Sequence, residues 1–560
     1  MSWICSLNID LSGRSNLKQA DDFFYAVTFD NRFANDKTVF TNDGMIAVID
    51  GVLLNKSELL EKYGAENLNE LIEEKEGQIN FFKEFIGPFS GFVYDIKKKQ
   101  LTVFGNQTGD TCAFWYVSDD SFAASSDFNE LMAVCKKSGV ELTFNETAAN
   151  HLLSLGFIVE GNTFAEQIKR TQPGEMEIIQ CGNANARRYH LFDNTDPDET
   201  LSLDDAIEKV DIAFKKAVKR CFDKDLEYGY KHIADISGGL DSRMVNRVAK
   251  ELGYRDITNI SYAQNESKEF RCASKVSRFM GNSFIFKQLD DALFIYDIEK
   301  VVRLNYGLSV YYGITGGLRM LEAINFERFG LEHTGMIGDA VVGSFSKNEN
   351  DTQIDVTRIC YTDFIKPQLK NIDDYKNHEQ FSMYYRAFQG AVITHYIRRN
   401  FTETVSPFMD VEFLQTCFDI PLEIRCKDRL YWAWLDKKYP DISHIPSTHD
   451  RPNQNKLSKE NIYNKLDRKC RRRIIRFFKK IGLWRVVSPS SSMNPFEQWY
   501  AENSEIREFI ERYYHENVKF MEAFPSIFKT LETVFAGEKV MDKLTAVSLL
   551  GVYKVYFSKD

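Results

Sequence analysis

The feature that most constrains this chain is a short apolar segment that passes through two glycines directly into a helical pattern. It reads Ile233-Ala234-Asp235-Ile236-Ser237-Gly238-Gly239-Leu240-Asp241-Ser242-Arg243-Met244. Glycines at such a turn allow positive φ and a close backbone approach, so successive N–H groups are predicted to point inward at a bound anion. The helix that follows adds its dipole and its free N–H groups. The segment therefore predicts a phosphate-binding loop between a strand and a helix.

Side chains in this loop suit a nucleotide that is accompanied by a metal ion. Ser237 and Ser242 offer hydroxyl donors for phosphate oxygens, and Asp241 offers a hard oxygen ligand for magnesium. No G-x-x-x-x-G-K-[ST] pattern occurs, so a lysine-based phosphate loop has no support. The alternative is an ordinary strand-to-helix turn in which the glycines serve geometry alone.

The chain around this loop divides into regions of different pattern. Its 560 residues exceed the roughly 250–300 that one hydrophobic core usually serves, so two or more domains are expected. Residues 1–195 hold short β-branched and aromatic runs between turn signals, which is typical of antiparallel strands. Residues 205–450 alternate strands with helices, as a parallel α/β sheet does. An acidic linker at 191–203 separates them, and 451–560 is predicted to be a helical extension.

Charge and cysteine usage narrow the function classes. The formal net charge of −10 argues against a chain that binds nucleic acid over its whole surface. The ten cysteines are scattered without a C-x-x-C pair, which is typical of reduced thiols in a cytosolic protein. The N-terminus has neither a positive region nor an apolar stretch of the kind that directs secretion. We therefore predict a cytoplasmic location.

Several segments of 205–450, taken in order, resemble the asparagine synthetase family of the ATP-pyrophosphatase superfamily. Members of that superfamily cleave ATP to AMP and pyrophosphate while they adenylate a substrate. The loop at 237–242 is similar to the family's pyrophosphate-binding loop. Further similar segments are the strand at 257–263 with Glu269 and Ala273 after it, the strand at 284–286, the loop at 334–343, and 403–410 with Asp419-Ile420-Pro421 downstream.

The resemblance implies ATP and magnesium as cofactors and assigns residues to them. The residues it places at ATP are Ile236, Ser237, Gly238, Gly239, Asp241, Ser242, Ser261, Thr334 and Gly335. It implies that Asp241 and Asp339 are the metal ligands. Glu403 would orient or deprotonate a nucleophile, with a structural ion pair as the alternative. The family's catalytic lysine would fall on Gln454, and Lys456 replaces it only if the loop shifts its register.

The N-terminal region resembles the family's class II glutamine amidotransferase domain, an Ntn-hydrolase-like sheet sandwich. The similar segments are 50–55, 85–92 and Gln172-Pro173-Gly174. The resemblance implies a cysteine nucleophile at position 2, where this chain has Ser2. It also implies an oxyanion-stabilising asparagine where Asp50 stands, and the charge of Asp50 would repel the developing oxyanion. We therefore predict a degenerate domain, with ammonia or an amine as the nitrogen donor.

A basic segment interrupts the otherwise acidic chain. Residues 465–485 carry ten Lys and Arg and one acid, Asp467, with apolar residues between them. This pattern predicts a basic amphipathic helix, and such a helix can lie on an anionic membrane surface or polymer. An anionic substrate, nucleic acid contact or a solvated surface helix are the alternatives. Membrane contact would place the protein at the inner membrane face.

Two classes of function remain from the sequence. The first is an asparagine synthetase-like ligase that adenylates aspartate or another carboxylate, such as a sugar uronic acid in surface-polysaccharide synthesis or a peptide carboxylate cyclised on an amine. The second is an ATP-binding pseudoenzyme or scaffold. Met336 favours the second, because it stands where the family has a Glu or a Tyr and a thioether cannot act as a base. A nucleic-acid-modifying member of the superfamily is disfavoured by the acidic charge, so no specific nucleic acid partner is expected.

Overall fold

The N-terminal part of the chain forms two six-stranded antiparallel sheets. The computed structural model describes residues 2–74, 81–314, 317–346, 349, 351–362, 365–448 and 493–558. The strands of these sheets are β1 (Ser2–Leu7), β2 (Leu17–Ala20), β3 (Phe23–Thr28), β4 (Thr38–Thr41), β5 (Met45–Gly51), β6 (Phe89–Asp95), β7 (Gln100–Phe104), β8 (Phe114–Val117), β9 (Phe122–Ser125), β10 (Lys169–Arg170), β11 (Glu175–Gln180) and β12 (Asn183–Arg188). The strand orders are β10-β8-β9-β1-β3-β2 and β12-β11-β7-β6-β5-β4.

Side-chain alternation along the strands decides how the two sheets stack. On β1, Trp3 and Cys5 pack against the second sheet, whereas Ile4 points to the outer face. Phe23 of the first sheet stacks on Tyr94 of the second, with ring centroids 3.8 Å apart. Helices cover both outer faces: α1 (Lys56–Tyr63) and α2 (Leu68–Glu74) on the second sheet, α3 (Phe128–Lys137) and α4 (Glu146–Leu155) on the first. The result is the predicted sheet sandwich, with helices outside.

The second part of the chain holds a five-stranded sheet in which all neighbouring strands are parallel. Its strands are β13 (Lys231–Asp235), β14 (Thr258–Ala263), β15 (Ser283–Gln288), β16 (Phe329–His333) and β17 (Thr404–Val405), in the order β15-β14-β13-β16-β17. Because the strands are parallel, their carboxyl ends meet at one edge of the sheet.

Helices cover both faces of this sheet, as a parallel sheet requires. They are α5 (Leu203–Glu227), α6 (Asp241–Glu251), α7 (Lys268–Met280), α8 (Ile298–Leu304), α9 (Gly317–Leu321), α10 (His378–Ser382), α11 (Ile393–Arg398), α12 (Val411–Phe418), α13 (Leu422–Arg425), α14 (Arg429–Lys438) and α15 (Pro440–Ser443), with π-helical turns at Ala340–Ser344 and Met383–Ala391. The 25-residue helix α5 starts at a Ser202 cap whose hydroxyl accepts the N–H of Asp205. Ala234 packs on the side of α5 and α6, and Ile233 packs on the side of α8 and α11.

The chain ends in four helices that pack on both earlier parts. They are α16 (Phe496–Glu502), α17 (Ser504–Asn517), α18 (Pro525–Phe535) and α19 (Val540–Tyr556). Buried residues of α19, such as Leu544, share one core with Ile4 of the first sheet and Val301 of α8. The ammonium group of Lys136 also donates to the carbonyl of Tyr556 at 2.7 Å. None of the helices in the described residues combines the length and apolarity needed to cross a bilayer.

This architecture confirms the predicted fold class: an antiparallel sheet sandwich, then a parallel α/β unit with C-terminal helices. The predicted strand at 257–263 is β14, which begins one residue later and ends at the same residue. The domain bounds 1–195, 205–450 and 451–560 stay predictions. The basic segment 465–485 lies outside the described residues.

Candidate functional site

The predicted phosphate loop lies at the edge where the parallel strands end. β13 ends at Asp235 and α6 begins at Asp241, so the loop joins strand to helix as predicted. The N–H of Ile236 donates to the carbonyl of Ile260 at 2.9 Å, which extends the pairing of β13 with β14. Ser261, the next residue on β14, is buried. The structure therefore brings Ile236, Ser261 and the loop to the same sheet edge.

The loop satisfies its own N–H groups with protein oxygen atoms. The N–H of Ser237 donates to the Ser242 hydroxyl at 2.9 Å, and that of Gly239 donates to the Ser237 hydroxyl at 3.1 Å. The N–H of Gly238 donates to the Glu269 carboxylate at 2.6 Å. Neither glycine has a positive φ, so the prediction of positive φ at this turn is wrong. Because nearby side chains supply the acceptors, a bound phosphate would compete with Glu269 for the Gly238 N–H.

Close packing, rather than positive φ, explains the glycine at position 238. A Cβ atom there would lie 2.5 Å from Cγ2 of Thr448 and 2.7 Å from Oε2 of Glu269. The N–H of Thr448 donates to the Gly238 carbonyl at 2.9 Å, so the segment 444–448, which follows α15, lies over the loop. The buried guanidinium of Arg243 holds the segment by donating to the Ile445 carbonyl at 2.7 Å. Sequence reasoning missed this cover, although Arg243 belongs to the loop motif.

The second predicted loop packs directly against the start of α6. A Cβ atom on Gly335 would lie 2.4 Å from the backbone nitrogen of Ser242, and one on Gly338 would lie 2.7 Å from Cγ of Asp241. The N–H of Thr334 donates at 2.8 Å to the last carbonyl of β17. Both glycines are thus required for close approach, and the predicted Thr334 and Gly335 lie beside the phosphate loop.

The two predicted metal ligands lie near each other. The carboxylate of Asp241 accepts the hydroxyl of Tyr431 at 2.7 Å and the backbone N–H of Asp339. Burial, and then the negative charge of Asp339, raise the pKa of Asp241 well above its ordinary value, against the lowering effect of Tyr431. A divalent cation would relieve both effects. Hard carboxylate oxygens in this arrangement fit magnesium, and Tyr431 is a neighbour that sequence reasoning missed.

A buried ionic cluster at the same sheet edge was also missed. The guanidinium of Arg398 pairs with Glu332 and with Asp235, the latter at 3.1 Å, and lies 3.3 Å from the Tyr262 hydroxyl. Burial raises the pKa of Glu332, Arg398 opposes this shift and Asp235 adds to it, so that the pKa rises to about 8 in all. Asp235 directly precedes the loop, which is the one sequence signal that this cluster offers.

A separate group of imidazole and carboxylate side chains attaches α5 to the sheet. Nδ1 of His232 and Nε2 of His333 each lie 2.7 Å from the same oxygen of Asp225, and all three residues are buried. Their candidate ligand atoms lie within 4.8 Å of one another. Distances of 2.7 Å are those of N–H···O hydrogen bonds to a carboxylate, so the group acts as a hydrogen-bonded connection between helix and sheet.

Glu403 does not lie at the phosphate loop. It lines a cavity of about 350 Å³ between the antiparallel sandwich and the parallel-sheet unit, here called the interface cavity. Asp50 lines the same cavity from the other side, whereas no residue of the loop at 237–242 lines it in the described part of the chain. Oε2 of Glu403 lies 3.7 Å from Nε of Arg399. The predicted Lys456 and the neighbouring Gln454 lie outside the described residues.

The position that carries Asp50 is the one where the sequence predicts a lost oxyanion site. Burial raises the pKa of Asp50 to about 6, with Lys37 lowering it and Glu403 raising it. Ser2 lies at the start of β1, paired with Thr28 of β3. The N–H of the next residue, Trp3, donates at 3.1 Å to a serine hydroxyl of the cavity wall.

Comparison with known proteins does not assign this chain to a family. No protein-family model matches the chain, and no curated protein matches it. Among solved structures it is similar to one titled as the allosteric regulatory enzyme of purine biosynthesis, with 11% identity over 47% of this chain and 66% of that chain and a TM-score of 0.22. It is also similar to glutamine phosphoribosylpyrophosphate amidotransferase from B. subtilis complexed with ADP and GMP, with 10% identity over 74% of this chain and 86% of that chain and a TM-score of 0.24. TM-scores this low support no argument about fold or activity.

Proposed function

We propose that the chain is an ATP-dependent ligase that activates a carboxylate and converts it to an amide. In the first step a carboxylate oxygen attacks the α-phosphorus of ATP, the bond to the β-phosphate breaks, and pyrophosphate leaves. In the second step ammonia or an amine attacks the acyl carbon, AMP leaves with the bonding electrons, and the nitrogen loses a proton. The proposed acid is aspartate or another carboxylate, such as a sugar uronic acid used in surface polysaccharide.

The observation that carries this proposal is the convergence of Asp241 and Asp339 beside the loop between β13 and α6. The hydroxyls of Ser237 and Ser242 lie in that loop, 3.0 Å from each other, where phosphate oxygens would bind. Magnesium held by Asp241 and Asp339 would neutralise phosphate charge. Tyr431 holds the Asp241 carboxylate in place, and Thr334 and Gly335 close the site from the neighbouring strand.

A pyrophosphate exchange assay tests this proposal. Purified protein is given ATP, magnesium and labelled pyrophosphate with a panel of carboxylic acids, and label entering ATP is counted. We expect one class of acid to stimulate exchange, and D339N to lower the rate by about 100-fold, as loss of a charged group that stabilises a transition state typically does. D119N, which removes an exposed carboxylate elsewhere, is the matched control and should keep the wild-type rate.

The second candidate is a nucleotide-binding scaffold without ligase activity. Two observations favour it: Met336 follows Gly335 where a base is implied, and the Gly238 N–H already binds Glu269. Binding of ATP without exchange for any acid would establish this candidate and reject the ligase.

The antiparallel sandwich is proposed to have no glutaminase activity. Ser2 offers a hydroxyl in place of a thiol, and Asp50 carries a charge where an oxyanion would form. We expect no glutamine hydrolysis that depends on Ser2, measured as glutamate release from the wild type and from S2A. A clear loss of hydrolysis in S2A would contradict this.

A further inference from the structure

The N–H groups of the phosphate loop donate to two different kinds of acceptor. Those of Ser237 and Gly239 donate to serine hydroxyls of the loop itself, at 2.9 and 3.1 Å. A serine hydroxyl that accepts one hydrogen bond can still donate its own proton to a phosphate oxygen. These two bonds therefore leave the loop able to bind an anion. The N–H of Gly238 differs, because its acceptor is itself an anion.

The acceptor at Gly238 is a carboxylate that reaches the loop from another helix. Glu269 is the second residue of α7, and its Oε1 lies 2.6 Å from the Gly238 nitrogen. This distance is at the short end for N–H···O bonds, as expected when the acceptor is charged. Its Oε2 also lies against Gly238, 2.7 Å from where a Cβ atom would be. Both oxygen atoms of one carboxylate thus lie where the sequence predicts phosphate oxygens.

The charge of Glu269 has no cationic partner in the described part of the chain. No lysine or arginine there forms an ion pair with its carboxylate, and the N–H of Gly238 is the one hydrogen-bond donor that it contacts. Its exposed neighbour Arg271 donates to the Glu266 carbonyl instead. A polyphosphate at the loop would therefore meet an uncompensated like charge and an occupied N–H group, and both oppose its binding.

The Glu269 side chain can leave the loop while α7 stays in place. The first turn of α7 is held by the Ser267 hydroxyl, which accepts the N–H of Phe270 at 3.2 Å, and by the Phe270 ring, whose centroid is 4.4 Å from that of Phe286 on β15. Glu269 itself is partly exposed, so rotation about its side-chain bonds moves the carboxylate towards solvent. Displacement of the carboxylate therefore leaves the packing of the helix unchanged.

We propose that the carboxylate of Glu269 occupies the phosphate loop as an internal anion, and that a nucleotide binds only after displacing it. The loop then has two states, one closed by Glu269 and one open to phosphate. The apparent affinity for a nucleotide falls in proportion to the fraction of molecules in which the loop is open. That ATP is the displacing nucleotide rests on the proposed function, whereas the closure of the loop does not depend on amide formation.

Calorimetric titration of the full chain with magnesium ATP, and separately with magnesium pyrophosphate, tests this self-inhibition. We expect E269Q to bind both ligands about tenfold more tightly than the wild type, because the negative charge at Gly238 is gone. E269A should bind them at least as tightly as E269Q, because its side chain has no acceptor for the Gly238 N–H. E266Q is the matched control, since it removes a nearby exposed carboxylate and should bind as the wild type does.

A crystal structure of the wild type with magnesium pyrophosphate makes the test independent of how the variants fold. We expect the Gly238 N–H to donate to a pyrophosphate oxygen, with the carboxylate of Glu269 turned away from the loop. Bound pyrophosphate in a loop where Glu269 still accepts that N–H would overturn the proposal.

Four results of the titrations would also reject the proposal. Equal affinity in wild type, E269Q and E269A would mean that the carboxylate does not compete, and weaker binding in E269A would mean that Glu269 helps to hold the ligand. An equal gain in E266Q would assign the effect to net charge, and absence of binding in every variant would leave no phosphate site to close.

Pyrophosphate exchange with carboxylic acids distinguishes this failure from failure of the ligase proposal. Tighter binding in E269A without exchange for any acid rejects the ligase and keeps the self-inhibition. Exchange in the wild type, together with equal affinities in wild type and E269A, keeps the ligase and rejects the self-inhibition.

Discussion

Asp50 carries a charge that its surroundings disfavour. Its carboxylate lies in a cavity wall, near the buried acid Glu403, and its pKa is raised to about 6 from an ordinary 3.8. Because the pKa is higher in the folded state than in the unfolded state, the ionised Asp50 destabilises the folded protein above pH 6. The penalty shrinks as the pH falls from about 6 towards 4 and disappears below about 4, where the group is protonated in both states.

We predict that D50N stabilises the protein at pH 8. The rise of the Asp50 pKa to about 6 corresponds to a loss of about 3 kcal/mol in the free energy of unfolding, which the neutral amide avoids. The gain should shrink towards zero as the pH falls to about 4. Urea unfolding midpoints of wild type, D50N and the control D119N at both pH values measure it. Equal stability of wild type and D50N at pH 8 would show that the charge of Asp50 is already compensated.

At the scale of elements, α5 is the helix that joins the two sheet systems. Its residue Lys224 pairs at 3.1 Å with Asp36, which precedes β4 of the sandwich. Lys56, at the start of α1, pairs with the same carboxylate at 2.7 Å, and the Tyr228 hydroxyl donates to it at 2.9 Å. The side chain of Asp36 is fully buried. Asp36, together with Glu227, thus balances the charge of two buried lysines where the two units meet.

We predict that D36N destabilises the protein by about 1–3 kcal/mol, because Lys56 and Lys224 lose their buried carboxylate partner but keep their ion pairs with Glu227. The amide has nearly the same volume as the carboxylate, so the loss of stability reflects the removed charge and not a change in packing. D22N is the comparison, because it removes an acid from the exposed ion pair with Lys99, where the expected loss is below about 1 kcal/mol. Chemical denaturation at neutral pH compares the two variants. Similar losses in both would mean that Asp36 does not hold the units together.

Over the whole molecule, the sequence predicts local strands and turns but not the partners that residues find far away in the chain. The strand at 257–263 and the strand-turn-helix motif at Ser237 are encoded by neighbouring residues, so the sequence predicts both. Asp50 and Glu403 line one cavity although they lie far apart in the chain, and no local pattern specifies this. The same holds for Glu269, whose carboxylate fills the place predicted for an anion. A local motif specifies which backbone groups are available, but tertiary packing decides which acceptor reaches them.

The basic segment gives a prediction about membrane binding by the whole protein. Residues 465–485 lie outside the described residues, and their contact with an anionic membrane stays a prediction. We expect the protein to sediment with phosphatidylserine vesicles but not with phosphatidylcholine vesicles. Changing Arg471, Arg472 and Arg473 to Gln should weaken binding by about 100-fold, at about 1 kcal/mol for each basic residue near an anionic surface.

The control for this experiment changes three exposed lysines of the described surface, Lys62, Lys98 and Lys219, to Gln. It removes the same charge but should leave vesicle binding unchanged. If both triple variants lose binding equally, the net charge of the protein, and not the basic segment, determines the contact.

The packing of α19 on the sandwich sets an order of events during synthesis. Lys136 and Asn129 of α3 bond to Tyr556, which lies 420 and 427 residues later in the chain. At roughly 5–20 residues per second, a ribosome needs on the order of 20–80 s to reach that partner. During this interval α3 and α4 have been made, whereas the C-terminal helices that pack on them have not. The nascent chain therefore spends most of its synthesis with the apolar side chains that later pack against α19 still uncovered.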